Sequence, residues 1–475
     1  MEGPSMPFAQ PCLSHTLLGY GTTEAPLTQM VAPPRRSSWL GTSWVMLADI
    51  VGISVLTLPY VARQLGWLPT IILIVACNPI ALYCAILLSR TRAILAASEK
   101  VEVLSMGEAA RHLLGGDKAA VATYIVVYGF GFLGNSSYLL TLGQALQGCF
   151  YSWDLCLIDA VWWACISCVP VCFGIRNLSE SIWLCFANLF LIVAVLAIVM
   201  RQQATLGRLE GVQTFWVAPD LTFLRFFGAL ANIIYAYTGH WLYFEIMAEM
   251  REPADFPHVF LINSPLQIGV YLLVAIWGYY FTGDLTKGFF LDNLPLGDAF
   301  RWASLLLFLH VVVAFLIKQV VLARYLHSCM SPARSALKFS DEGGGWAHAE
   351  YAAYSLILLL AGFGVAVCVP FFEDLMGLTG ALLSAPISYA LPMIFYAAAR
   401  AGAEARRRSK GLAPGTVGLR QCWEILSRTE VILFTAIGIL VVLLMLLGTY
   451  TMVSDIVQRT KAIGAMFACQ ALNRN

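Results

Sequence analysis

The chain has 475 residues, of which 59% are hydrophobic and 12% are charged, and its mean hydropathy is +0.74. Soluble domains carry about 25% charged residues, so this composition excludes an ordinary globular protein and indicates a polytopic membrane protein. The formal net charge of +1 gives no support to a polyanionic partner, and we expect no nucleic-acid binding. The cysteines lie mostly in apolar segments without the spacing of a zinc site, so no metal and no cofactor are predicted.

A polar tail at residues 1–38 precedes the apolar segments and is predicted to be disordered and cytoplasmic. Eleven segments follow that are each near the ~20 residues a membrane-spanning helix needs. The predicted spans lie at residues 41–64, 67–89, 119–148, 157–175, 180–200, 222–249, 260–283, 300–326, 350–370, 374–399 and 430–452. Together they form a membrane domain at 39–452, and a second tail is predicted at 453–475. Between spans two and three, the capping-box pattern of Ser105 and Glu108 predicts a short surface helix through His112.

Lysine and arginine residues are distributed unevenly between the two sides that these spans define. With the N-terminus in the cytosol, 19 of them are cytosolic and 9 lie on the opposite side. The positive-inside rule therefore predicts a cytosolic N-terminus and an extracellular or lumenal C-terminus. The pattern does not choose between the plasma membrane and a vacuolar or lysosomal membrane.

Span one contains residues that oppose a continuous helix. Asp49 places a carboxyl group in an apolar run, Gly52 follows, and Ser54, Thr57 and Pro59 weaken the next turns. Free backbone groups cost several kcal/mol in lipid, so such a break is stable only against protein or a watery cavity. The pattern predicts an interrupted membrane helix.

Span six is interrupted in the same way, around Gly239, and runs opposite to span one. Spans 1–5 (41–200) and 6–10 (222–399) are therefore predicted to be inverted repeats, with 430–452 as an extra helix. Two interrupted helices at matching positions indicate a transporter's binding site. Half-helix ends expose N–H groups to a carboxylate and C=O groups to a cation, which favours a small zwitterion.

Three groups of motifs lie in spans one, six and ten. They are Gly52-Ile53-Ser54, Leu56-Thr57-Leu58-Pro59 and Gly66-Trp67; Gly239-His240, Glu245, Glu249-Met250, Pro253 and Phe256-Pro257; and Gly380-Ala381, Pro386-Ile387-Ser388-Tyr389 and Leu391-Pro392. The chain resembles the amino acid/auxin permease family over roughly residues 40–450, and most of all its fungal and protist branch of neutral amino acid permeases. The resemblance implies an all-α fold of eleven transmembrane helices with a leucine-transporter-like 5+5 inverted repeat and broken helices 1 and 6. Ser54 departs from the family, which often has a glycine there.

The substrate site is expected at the two breaks, with backbone groups, two hydroxyls and an aromatic wall. Its predicted residues are Ile50, Val51, Gly52, Ile53, Ser54, Tyr235, Tyr237, Thr238, Gly239 and His240. Asp49 is the predicted proton-coupling group, because an intramembrane carboxyl is functional by default, although a structural pairing role stays open. Glu245 is a second candidate for proton movement or for gating the inner path. His240 either titrates or only holds the unwound segment.

Lys318 lies within span eight, where sodium-coupled relatives of this fold form part of a sodium site. A fixed ammonium would repel sodium, so Lys318 is interpreted as a substitute for the cation. The alternative is a side chain that extends to the membrane interface.

We therefore expect a secondary active transporter of neutral amino acids, proton-coupled and sodium-independent, that works by alternating access. An amino acid sensor without transport and a sodium-coupled carrier are the alternatives. An enzyme is disfavoured because no nucleophile–base or metal-ligand set accompanies the spans. The partners expected are an amino acid, a proton and the lipid bilayer, with the oligomeric state open. The sequence also leaves open a disulfide between Cys149 and Cys156.

Overall fold

The computed structural model describes residue 35 and residues 37–174, 182–335, 343–408 and 419–463. These residues form 18 α-helices with short 3-10 and π-helical segments between some of them. The helices are α1 (Trp39–Ile50), α2 (Leu58–Leu65), α3 (Trp67–Glu99), α4 (Met106–Leu113), α5 (Asp117–Cys149), α6 (Leu157–Gly174), α7 (Ile182–Leu206), α8 (Phe223–Ala236), α9 (Tyr243–Glu249), α10 (Phe256–Thr282), α11 (Asp298–Met330), α12 (Pro332–Ser335), α13 (Gly344–Cys368), α14 (Phe372–Thr379), α15 (Leu391–Arg408), α16 (Leu419–Ile425), α17 (Arg428–Leu443) and α18 (Thr449–Ile463). The predicted N-terminal tail lies almost entirely outside the described residues.

Eight helical segments of the described chain are long and apolar enough to cross a membrane. A ninth results when the bent pair at residues 39–65 is counted as one span, and a shorter apolar helix covers Leu157–Pro170. Some helices exceed their predicted length: α3 continues to Glu99, ten residues past the predicted end. Its added turns are rich in the helix-favouring residues Ala and Leu, and it ends where Lys100 adopts a left-handed backbone (φ 55°).

The last helical stretch also passes its predicted end at residue 452. A π-helical segment (Leu444–Gly448) joins α17 to α18, which continues to Ile463. Arg459 in this extension forms an ion pair with Glu373 and donates to Tyr60 Oη at 2.7 Å. The extension therefore packs against α14 and α2 and belongs to the helical bundle.

The first break falls directly after α1. Val51 leaves the helical region (φ −80°, ψ 70°) and Gly52 is extended (φ −116°, ψ −152°). A 3-10 turn, Ile53–Thr57, then leads into α2. The helical axis bends by 44° across this break.

The second break falls after α8, which ends at Ala236. Tyr237 to Gly239 separate it from the 3-10 turn His240–Leu242, which leads into α9. Close packing accompanies this break, because a Cβ at Gly380 would overlap the carbonyl of Ala231 on α8. Gly380 opens the first of two π-helical segments, Gly380–Ser384 and Pro386–Ala390, and such segments are frequent at functional sites.

Helices α5 and α11 pack along each other and carry the wall of the site described below. Asn135 on α5 donates to Gln319 Oε1 on α11 at 2.7 Å, and Gln319 donates to the Ser355 carbonyl on α13 at 2.7 Å. All three polar side chains are buried. Because buried polar groups are costly unless they are paired, this chain of hydrogen bonds sets the register of the three helices.

The helix predicted between the second and third spans is confirmed as α4, but its residues are buried or partly buried and do not form an exposed surface helix. Ser105 Oγ accepts from the N–H of Glu108 at 3.2 Å, while Glu108 Oε2 accepts from the N–H of Leu104 at 2.7 Å. The carboxylate thus reaches one residue further back than in the usual capping box. Burial raises the pKa of the Glu108 carboxyl, and the N–H of Leu104 and the charge of Arg111 oppose that effect.

Candidate substrate site

The two breaks meet at a cavity of about 30 Å³ in the interior of the bundle. Residues from both breaks and from α5 and α11 line it. They are Ile50, Gly52, Ile53, Ser54, Phe130, Tyr138, Tyr235, Ala236, Thr238, Trp241 and Lys318. Interrupted helices leave backbone groups without intrahelical partners, and residues of both interruptions line this one cavity.

Seven of the residues singled out in the sequence line this cavity: Ile50, Gly52, Ile53, Ser54, Tyr235, Thr238 and Lys318. Val51, Tyr237, Gly239 and His240 lie beside it without lining it. The structure therefore brings the two predicted segments together, but it turns part of each away from the cavity.

Tyr271 on α10 connects the two breaks. Its hydroxyl lies 2.6 Å from the carbonyl oxygen of Ala236 and 3.2 Å from that of Ile50, the last residues of α8 and α1. Gln267 donates to the same hydroxyl oxygen at 3.2 Å. A buried helix end needs partners for its free carbonyls, and the one hydrogen of this phenol is shared between the two helix ends, with Ala236 the nearer acceptor.

The hydroxyl of Thr238 lies at the second break and links it to the π-helical part of the segment after α14. It donates to the carbonyl of Ile234 at 2.7 Å and accepts from Ser388 Oγ at 3.1 Å. At the first break, the Thr57 hydroxyl donates to the carbonyl of Ser54 at 2.9 Å. These bonds stabilise backbone that has left the regular helical pattern.

Tyr237 and His240 hold the second break against α3. The Tyr237 hydroxyl donates to the carbonyl of Ile74 at 2.8 Å, and His240 Nε2 lies 2.9 Å from the carbonyl oxygen of Ala81. Since a carbonyl only accepts, the Nε2 atom carries the hydrogen. This contact corresponds to the second of the two roles expected for His240, which is to hold the unwound segment.

Lys318 projects from α11 into the cavity. Its Nζ atom lies 4.3 Å from the ring centroid of Tyr138 and 5.9 Å from those of Phe130 and Trp241. The side chain is 7% exposed, so it does not extend to an interface, which was the alternative interpretation. Aromatic faces attract a cation, and this attraction stabilises the ammonium within the bundle.

The two carboxyl groups proposed for proton coupling are placed differently. Asp49 belongs to the last turn of α1, next to cavity-lining Ile50, and its side chain lies outside the described residues. Glu245 lies on α9 and does not line the cavity. Its Oε2 atom is buried and makes no hydrogen bond within the described part of the chain.

Four lining residues were not identified from the sequence: Phe130, Tyr138, Ala236 and Trp241. Two of them carried a readable signal. Phe130, Gly134 and Tyr138 follow a spacing of four residues, which places them on one face of α5. The glycines on the same helix are equally typical of close helix packing, so this spacing does not by itself indicate a binding site.

The described residues contain no group of three or more His, Cys, Asp or Glu side chains that could hold a metal ion. Cys149 is a free thiol, so the disulfide considered between Cys149 and Cys156 does not form in this structure.

Apolar helices long enough to cross a bilayer, together with a cavity at two helix breaks, define an integral membrane protein of the transporter class. Comparison with known proteins identifies the family of transporters to which the chain belongs. The chain belongs to the family described as transmembrane amino acid transporter proteins, whose model matches residues 35–410. The resemblance drawn from the motifs is thus confirmed, and the family consists of transporters rather than enzymes.

Individual relatives are fungal, plant and animal proteins. The chain is 22% identical to the N amino acid transport system protein of Neurospora crassa, over 76% of each chain. It is 24% identical to the amino acid transporter ANT1 of Arabidopsis thaliana, over 79% of this chain and 89% of the relative. It is 25% identical to the vesicular GABA transporter of Caenorhabditis elegans, over 54% of this chain and 53% of that one.

Proposed function

We propose that this protein is a secondary active transporter that moves neutral amino acids, coupled to protons and independent of sodium, by alternating access. The observation that carries the proposal is the cavity between the two breaks, in a chain of an amino acid transporter family. The names of the relatives quoted above, which refer to amino acids or to GABA, support this substrate class.

The arrangement of backbone at the cavity suits a zwitterion. The N–H groups of Gly52, Ile53 and Ser54 begin the helical stretch that leads into α2, where a helix attracts an anion. Ala236, at the end of α8, lines the same cavity, and the carboxyl end of a helix attracts a cation. We place the substrate carboxylate at the first break and its amino group at the second.

The size of the cavity supports alternating access. A volume of about 30 Å³ is far below the roughly 300–1,000 Å³ of ordinary ligand pockets. An amino acid therefore needs the surrounding helices to move apart before it enters or leaves. We propose the eleven-span, 5+5 inverted-repeat topology with a cytosolic N-terminus as the framework for that motion.

Proton coupling is proposed on the basis of charge. A charged carboxylate such as that of Asp49 is costly inside a membrane. If this carboxyl takes up and releases a proton during transport, it is neutral for part of the cycle and that cost is reduced. The Lys318 ammonium beside the cavity repels a sodium ion, as any like charge at short range does. Both features favour protons over sodium, and Glu245 is a second candidate for the proton pathway.

Uptake into proteoliposomes tests the proposal. The purified protein is given radiolabelled L-alanine, L-leucine, L-glutamate or L-lysine under an imposed pH gradient, with sodium or with choline. We expect neutral amino acids to accumulate in either salt and a protonophore to abolish the accumulation. Strict sodium dependence would contradict proton coupling, and binding without accumulation would indicate a sensor.

A pair of aspartate variants locates the coupling group. Asp49→Asn is expected to lose pH-driven accumulation, while Asp298→Asn, at an exposed position, retains it. If Asp49→Asn keeps full pH-driven uptake, Asp49 is not the coupling group.

A further inference from the structure

Lys318 is a buried cation without an ionic partner among the described residues. The contacts of its Nζ atom there are with aromatic rings, of which Tyr138 is the nearest at 4.3 Å. The ion pairs of the described chain involve arginine and histidine and do not include Lys318. A buried charge is costly unless it is paired, and aromatic contacts of this kind offset only part of that cost.

The position of the ammonium is determined by its neighbours. Gln319, the next residue, is held between Asn135 and Ser355 by hydrogen bonds of 2.7 Å on each side, which fixes the rotation of α11. Gly134 leaves room for the head group: a Cβ there would lie 3.5 Å from Lys318 Nζ and 3.3 Å from Tyr235 Oη. Lys318 is therefore directed into the cavity and not toward lipid.

Gly52, Ile53 and Ser54, at the start of the helical stretch that leads into α2, line the same cavity. Lys318 is the one charged side chain among the described residues that line this cavity. The other described lining residues are aromatic, aliphatic or hydroxyl-bearing, or glycine, and carry no charge to balance it. The chemistry that completes such a site is a carboxylate.

We propose that Lys318 is the specificity-determining cation of the substrate site, which binds a carboxylate of the amino acid and excludes amino acids with cationic side chains. This inference rests on the proposed transport of amino acids and specifies the substrate class. It adds to the role expected from the sequence, in which Lys318 substitutes for the cation. An α-carboxylate and a side-chain carboxylate share the required chemistry.

Binding to the purified protein in detergent tests the inference without requiring transport. The probes are L-alanine, L-glutamate and L-lysine, with L-alaninamide as the analogue that lacks a carboxylate. Lys318→Met keeps the length of the side chain and removes its charge, Lys318→Arg keeps the charge, and Lys118→Met changes an exposed lysine. Thermal melting and size-exclusion chromatography identify variants that fail to fold.

In the wild type and in Lys118→Met we expect L-alanine to bind at least tenfold more tightly than L-alaninamide, and L-lysine to bind weakly. In Lys318→Met, we expect the affinity for L-alanine to fall at least tenfold, the preference over the amide to disappear and L-lysine to gain affinity. Lys318→Arg is expected to preserve the preference for a carboxylate. If the Lys318→Met protein loses affinity for L-glutamate but keeps its affinity for L-alanine, Lys318 contacts a side-chain carboxylate. This result also supports the inference.

Unchanged selectivity in a folded Lys318→Met protein overturns the inference, and the proposed transport survives that result. Failure of the wild type both to bind and to accumulate any of the amino acids contradicts the proposed function instead. The double variant Asp49→Asn/Lys318→Met tests whether the Lys318 ammonium instead pairs with Asp49. If Asp49→Asn restores L-alanine binding to the Lys318→Met protein, the ammonium serves to pair Asp49, and the inference is overturned.

Discussion

The hydroxyl of Tyr271 lies 2.6 Å from the carbonyl oxygen of Ala236, at the point where the second broken helix ends. The same hydroxyl lies 3.2 Å from the carbonyl of Ile50, where the first broken helix ends. One side chain on α10 thus stabilises both helix ends beside the cavity. A rearrangement of either break has to change the hydrogen bonds of this phenol.

Removal of that hydroxyl is expected to impair both stability and transport. Tyr271→Phe leaves two buried carbonyl groups without this donor, at a cost of about 1–3 kcal/mol. We expect a lower melting temperature and a slower uptake of amino acid by proteoliposomes. Tyr450→Phe, at a position that is 62% exposed, is the matched control and should resemble the wild type. Equal behaviour of the two variants would show that the Tyr271 contacts do not support the breaks.

A methyl group at Gly380 is expected to disturb the second break. It would overlap the backbone carbonyl of Ala231, so α8 and the π-helical segment would have to separate. Overpacking of this kind costs about 1–3 kcal/mol. Gly380→Ala should therefore melt at a lower temperature than Gly438→Ala, whose new methyl group meets no atom within 4 Å. A Gly380→Ala protein as stable as its control would contradict the close approach of these helices.

Arg459 lies within ion-pair distance of two buried acidic side chains, Glu373 and Asp374. Loss of one partner from a buried ion pair costs about 3–5 kcal/mol, because an uncompensated charge remains. We expect Arg459→Met to melt well below Lys461→Met, which alters an exposed cation on the same helix. Adding Glu373→Gln to Arg459→Met should recover part of the loss. If Arg459→Met and Lys461→Met have the same melting temperature, the ion pairs do not hold α18 to the bundle.

Asp292, in the loop between α10 and α11, gives the stability of the protein a dependence on pH. Burial and the charge of Glu373 raise the pKa of its carboxyl to about 7, against the opposing effect of Lys287. A raised pKa means that the folded state binds the proton more tightly than the unfolded one. The stability from this group is therefore lost as the pH rises from about 4 to about 7.

Asp292→Asn should consequently raise the melting temperature relative to the wild type by more at pH 8 than at pH 5. Asp298→Asn, at an exposed position, controls for the change in net charge and should show no such difference. An equal shift at both pH values would show that the Asp292 carboxyl is not perturbed by its surroundings.

Local residue types were sufficient to locate both breaks. Gly52 and Gly239 interrupt apolar segments, and Lys318 is conspicuous because a lysine is expensive in a membrane span. Periodicity could not determine which side chains face the cavity, since Tyr237 lies in backbone that follows no helical period. Its hydroxyl instead reaches the carbonyl of Ile74 on α3, a tertiary contact that local sequence does not specify.

The sequence did not identify Phe130 and Tyr138 as part of the aromatic wall, for a related reason. Phe130 and Tyr138 share a helix face with Gly134, but an aromatic stripe at that spacing is equally typical of a packed core. Only the rotation of α5 against α11, held by Asn135 and Gln319, directs this face toward Lys318. The positions of helix ends, such as the end of α3 at Glu99, also depend on packing outside the apolar segment from which the span was predicted.

A structure determined with saturating substrate would test the central claim most directly. We expect density for the amino acid in the cavity between the two breaks, with a carboxylate within hydrogen-bonding distance of Lys318 Nζ and its amino group toward the end of α8. Density for the bound amino acid elsewhere in the bundle, with this cavity unchanged, would contradict the claim.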